Sequence, residues 1–140
     1  MDFHTACQML YECVDEFYRL KKGAFISEPE KSFLFCDVFI GRRAIKHVVE
    51  QRKAEKVSSE NMRQFFARML RTISEFDLEI LNTNQSDYPI SVMRMKIFPE
   101  SEIGTVIVLD KRDEIGRRAF ITAFYCRPER IVLIQKKKPQ

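Results

Sequence analysis

Residues 33–53 read Phe-Leu-Phe-Cys-Asp-Val-Phe-Ile-Gly-Arg-Arg-Ala-Ile-Lys-His-Val-Val-Glu-Gln-Arg-Lys, and how this stretch divides decides the fold. From Phe33 to Ile40 it is apolar, broken only by Asp37, and rich in β-branched and aromatic residues, which predicts a strand. Gly41 closes that run, and the period then becomes helical. Ala44, Ile45, Val48 and Val49 recur at the spacing of one helix face. At about 100° per residue, His47 falls roughly 130° from the centre of that stripe. It shares its side with Arg43, Glu50 and Gln51. A histidine so placed is either a solvated side chain or a proton-transfer group beside cations.

The flanking chain sorts by the same test. Ala6, Met9, Leu10, Cys13, Val14 and Phe17 form a helical stripe within residues 3–22, with Gly23 as its expected C-cap. Residues 25–32 read as a polar connection. Ser58 or Ser59 offers an N-cap to a helix whose stripe is Met62, Phe65, Phe66, Met69, Leu70 and Ile73. Arg63, Arg68 and Arg71 lie opposite and read as a solvated face.

After Glu75 the period becomes two. Phe76, Leu78 and Ile80 alternate with carboxylates, and Met93, Met95 and Ile97 alternate with Arg94 and Lys96. Residues 82–89 and 111–116 read as turns. The runs 103–109 and 119–126 are apolar on nearly every position, as central strands are. After a turn at Arg127-Pro128-Glu129, Ile131 to Ile134 is expected to be the last strand. Helices first and short-looped strands afterwards indicate a single α+β domain over 1–140. Its helices should pack on a largely antiparallel sheet of four to five strands.

Composition sets outer limits. Hydrophobic residues are 45% and charged residues 31%, the balance of a globular chain. The net charge of +4 is compatible with a phosphate-bearing partner, and part of it comes from the basic tail over 136–140. Cys7, Cys13, Cys36 and Cys126 show no paired spacing and read as buried thiols of a reducing compartment. No metal site, signal peptide or membrane span is expected. A cytoplasmic protein is the expectation.

The motifs exclude several chemistries. The chain has no P-loop, no dinucleotide-binding glycine pattern, no zinc-protease helix and no nucleophile elbow. What it offers is one histidine among Arg43, Lys46, Arg52 and Lys53, plus polar groups on a late strand. That set suits internal transesterification of RNA. The ribose 2′-OH is the nucleophile, a histidine moves protons, and cations with a hydroxyl stabilise the phosphoryl oxygens. Alternation over 117–126 puts Arg118, Phe120, Thr122, Phe124 and Cys126 on one face, with Thr122 between two rings and Tyr125 on the other face.

The pattern Asp37-Val-Phe-Ile-Gly-Arg-Arg-Ala-Ile-Lys-His47, a second helix, and strands ending Ala119-Phe-Ile-Thr122-Ala-Phe-Tyr125-Cys resembles the barnase–EndoU–colicin E5/D–RelE superfamily. It is most similar to the phage- and mobile-element-associated branches. The resemblance covers residues 33–135 and leaves the first helix, within 1–24, outside it. It implies a metal-independent endoribonuclease of toxin or effector type, without a cofactor and able to act after delivery into a target cell. RNA is the implied substrate and an antitoxin or immunity protein a further partner. His47 takes the place of the helix histidine and Thr122 that of the strand hydroxyl, with Arg43, Lys46, Arg52 and Tyr125 holding substrate. Where many relatives carry a second histidine, this chain has Arg52 and Lys53. A non-catalytic RNA- or protein-binding module on the same scaffold is the alternative.

Overall fold

The computed structural model describes residues 2–21, 32–55, 58–82, 91–112 and 116–137. Among them are the helices α1 (Phe3–Phe17), α2 (Arg42–Ala54), α3 (Ser59–Ser74) and α4 (Pro128–Lys137). The strands are β1 (Phe33–Phe35), β2 (Val38–Ile40), β3 (Leu78–Asn82), β4 (Ser91–Phe98), β5 (Ile103–Arg112) and β6 (Arg118–Cys126). The fold is α+β, with one six-stranded sheet in the order β1-β2-β6-β5-β4-β3. The expected four to five strands therefore become six. The sheet is mixed, because β2 pairs parallel with β6 while every other pair is antiparallel.

The extra strand comes from residues 33–40, which fold as a hairpin rather than one strand. Cys36 takes a left-handed conformation at φ 54°, and Asp37 completes the turn. A short polar side chain suits that position, and the apolar flanks then pair with each other. The first helix also departs from expectation. Asp2 caps its start by accepting a 2.7 Å hydrogen bond from the Thr5 amide, a bond that lowers the Asp2 pKa. The helix ends at Phe17 instead of continuing to 22. Arg19 turns left-handed at φ 57°, and the Leu20 amide folds back onto the Asp15 carbonyl at 2.8 Å. Gly23 and the predicted loops over 25–31 and 83–89 lie outside the described residues.

Residues 131–134 form a helix, not the expected last strand. A run of four apolar residues carries no period of its own, and Pro128 in the first helical turn tips it towards helix. Ile131 is fully buried and seats α4 on the sheet over Gly104, where an added Cβ would meet Ile131 Cδ1 at 2.7 Å. Val132 and Leu133 face outward.

With α1, α2 and α3 on one face and α4 on the other, the sheet carries two apolar layers. The larger holds Leu10, Phe35, Ile45, Phe65, Phe66, Ile107 and Phe120. The smaller holds Leu78, Met95, Val106, Val108 and Ile131, with Met93, Ile97 and Phe124 against it. Cover on both faces explains why β5 and β6 are apolar nearly throughout. The thiols divide accordingly: Cys7 and Cys13 are buried and Cys126 half-buried, but Cys36 is exposed in its turn, contrary to expectation.

Of the helix arginines read as a solvated face, Arg71 is exposed as expected, while Arg63 and Arg68 are half-buried in side-chain hydrogen bonds. Arg63 Nη2 donates to Glu12 Oε2 at 2.6 Å, joining α3 to α1, and Arg71 pairs with Glu75 at 3.4 Å while lying over the Phe98 ring. On β4 the departure is larger, because Arg94 is only 2% exposed. Its guanidinium donates to both Asp37 carboxylate oxygens at 2.8 and 2.6 Å, to Glu79 Oε2 at 2.7 Å and to the Ile73 carbonyl at 2.9 Å. The Phe76 ring covers it at 4.7 Å. Burial pulls the Arg94 pKa down, but the hydrogen bonds to Asp37 and Glu79 outweigh burial and leave it raised.

Two predictions follow from this packing. Arg94→Met strips partners from two half-exposed carboxylates and the end of α3, and should lower unfolding free energy by about 3 kcal/mol in urea titration. Burial pushes the Cys13 thiol up to about 12 from its ordinary 9.0. A thiol raised in the folded state keeps its stabilising share below pH 9 and loses it as pH climbs from 9 towards 12. Stability of the wild type relative to Cys13→Ala should therefore fall by about 1.4 kcal/mol per pH unit in that window, measured by parallel denaturation curves.

Candidate active-site cleft

A short strand and an irregular one make the cleft. β2 pairs with β6 only at Val38–Arg118 and Phe39–Ala119, then stops at Ile40, while β6 runs on. Gly41 alone separates β2 from α2, so the helix starts where the strand ends and packs beside the continuing β6. Ser32 fixes the entry by accepting a 3.1 Å hydrogen bond from the Arg42 amide. Ile45, Val48 and Val49 turn to the core. The opposite side, with His47, stays exposed.

On β6 a bulge re-aims the side chains. Val108 pairs with Thr122 and Leu109 with Phe120, leaving Ile121 as the extra residue. Strict alternation fails there. Phe120 faces the larger core, whereas Phe124 and Cys126 pack with the smaller one. Thr122 is thus not flanked by two rings on one face, as expected. Tyr125 does lie on the face away from Phe124 and Cys126.

Between α2 and β6 opens a cleft of about 610 Å³. Gly41, Arg43 and His47 line it from the helix side, Thr122 and Ile121 from β6, and Asp110 from β5. The first turn of α2 contributes the positive end of a helix dipole to this wall. Phe39, 39% exposed, supplies an apolar side. The carbonyl of Asp110 accepts from Arg118 Nη1 at 3.3 Å, tying the end of β5 to the start of β6.

Of the six residues singled out in the sequence, the cleft gathers Arg43, His47 and Thr122. Lys46 is exposed on α2 but does not line it. Arg52 and Tyr125 belong to a second cleft, on the α3 side. Arg52 is buried, its guanidinium 4.9 Å over the Phe65 ring and 3.2 Å from Glu55. The Tyr125 hydroxyl accepts from Arg68 Nη1 at 2.8 Å. Both residues are engaged by these partners in the second cleft and neither lines the one at His47.

Asp110 and Phe39 escaped the sequence reading. Asp110 is the first charge after an apolar strand, which resembles a turn signal, and Phe39 looked like one more core residue until the hairpin split its strand. Among the described residues no His, Cys, Asp and Glu side chains cluster as a metal ion would require, and no helix is long and apolar enough to cross a membrane. No family model matches the sequence, and no curated protein or solved structure is significantly similar to it.

The cleft residues are surface groups and Arg52 is not. His47→Ala and Arg43→Ala should each leave the melting free energy within about 0.5 kcal/mol of wild type, while Arg52→Ala should cost about 2 kcal/mol. Thermal and urea melts of the three variants check this.

Proposed function

We propose that this chain is a metal-independent endoribonuclease-like domain, of toxin or effector type, that cleaves RNA by attack of the ribose 2′-OH on its own phosphodiester. The observation that carries the reading is one cleft lined by an imidazole, a carboxylate, a guanidinium and a hydroxyl: His47, Asp110, Arg43 and Thr122. The resemblance of the sequence to the barnase–EndoU–colicin E5/D–RelE superfamily, whose members carry a helix histidine and a strand hydroxyl, supports the same assignment.

The chemistry needs two proton transfers. Asp110, as a carboxylate, accepts the 2′-OH proton, and the oxygen attacks phosphorus. His47, as an imidazolium, gives its proton to the departing 5′-oxygen, so a 2′,3′-cyclic phosphate and a free 5′-hydroxyl result. Arg43, the helix start at Gly41 and the Thr122 hydroxyl stabilise the phosphoryl oxygens. Phe39 offers a ring on which a base can stack. A carboxylate in the second role answers the lack of a second histidine in this part of the chain. Lys46, exposed on the same helix, adds long-range attraction for the backbone.

The alternative, a non-catalytic RNA- or protein-binding module on this scaffold, is favoured by one observation: of the two histidines, only His47 lines the cleft. Labelled single-stranded RNA incubated with the protein in EDTA separates the two. Cleavage to cyclic-phosphate ends is expected, falling about 100-fold or more in His47→Ala and in Asp110→Asn. Salt-sensitive RNA binding with no products in the wild type assigns the binding module instead.

A further inference from the structure

The second cleft, about 390 Å³ between the end of α2, α3 and the start of β5, holds two arginines in unequal states. Arg52 is only 6% exposed and stacks on Phe65, and its Nε–H has no hydrogen-bond partner among the described residues. Its ion pair to Glu55, at 3.2 Å, engages Nη2 and a carboxylate side chain that is 58% exposed. Arg68 is oriented by two lining hydroxyls, donating to that of Tyr125 at 2.8 Å and that of Ser101 at 2.9 Å. A guanidinium has more donors than these bonds use. Asn61 and Gln64, on the exposed side of α3, complete a lining rich in N–H groups.

A buried guanidinium with an unused donor is costly unless something occupies it. The two arginines outnumber the one carboxylate, so the cleft carries net positive charge. Its Glu55 partner is on the solvent side and can swing away. We infer that this cleft is a phosphate-group subsite, in which a phosphate displaces Glu55 and bridges Arg52 and Arg68. Planar, pre-oriented guanidinium groups suit a phosphate's oxygens better than lysines would. The subsite is separate from the His47 cleft and does not rest on cleavage.

The test follows the Arg52 Nε–H resonance of the intact protein by heteronuclear NMR while inorganic phosphate is added. A saturable shift of that signal, with the Asn61 and Gln64 amides moving in step, is expected. Arg68→Gln should weaken the affinity about tenfold or more, and His47→Ala should leave it unchanged. Arg52→Gln should abolish it, with the melting curve recorded alongside. Two short RNAs, one bearing a 5′-phosphate and one lacking it, identify the source: a shift only with the first assigns an RNA end, and equal weakness of both beside phosphate assigns a small phosphate ligand. No movement of Arg52 Nε–H at the highest soluble phosphate concentration, or the same affinity in Arg68→Gln, overturns the inference.

Discussion

A single buried guanidinium holds the parts of this molecule in place. Arg94 sits on β4, yet its partners come from the β1–β2 turn, from β3 and from the last turn of α3. Three separate segments are thereby fixed to one planar group that cannot lose its charge. Removing it would leave its side of each of these contacts empty beside an apolar layer. Asp37 matters most. It ties the hairpin to β6 through its backbone carbonyl, which accepts from the Arg118 amide at 2.8 Å, and anchors it through its carboxylate. The hairpin in turn launches α2, so the position of His47 traces back to a residue in the middle of the opposite half of the sheet.

The cleft itself is a by-product of mismatched lengths. β2 is three residues long and β6 nine, so β6 outruns its parallel neighbour and α2 takes the vacant edge. The bulge at Ile121 then lets neighbouring side chains of β6 reach this region and the larger core in turn. A regular β6 would fix Thr122 by strict alternation from Phe120. The local irregularity pairs Thr122 with Val108 of the smaller layer while Phe120 packs in the larger one, and both residues border the cleft.

Much of this was legible in the sequence where the period was long and clean. The stripe from Met62 to Ile73 and the face formed by Ile45, Val48 and Val49 predict α3 and α2 because many residues vote together. Short segments fail for a physical reason. Residues 33–40 contain a turn hidden in an apolar run, and nothing local marks Cys36 as left-handed. Ile131 to Ile134 has too few residues to show a period, and Gly104, far away in sequence, decides what can lie over it. Arg94 reads as a solvent-facing residue of a half-buried strand, since its burial depends on Asp37 and Glu79 arriving from elsewhere. For the candidate site, helical geometry put His47 and Arg43 on one polar side of α2. The separation of Arg52 and Tyr125 from them, and the presence of Asp110, depend on tertiary placement that spacing does not encode.

The parallel pairing of β2 with β6 has a consequence in time. Val38 meets Arg118 across roughly eighty intervening residues, and parallel contacts of such long range close late in folding. Helices α1 to α3 and the β3–β4–β5 meander have nearer partners to find first. As the chain leaves the ribosome, its histidine-bearing helix is complete long before the strand that must face it has been made. A nascent chain therefore has no assembled cleft until β6 has been synthesised.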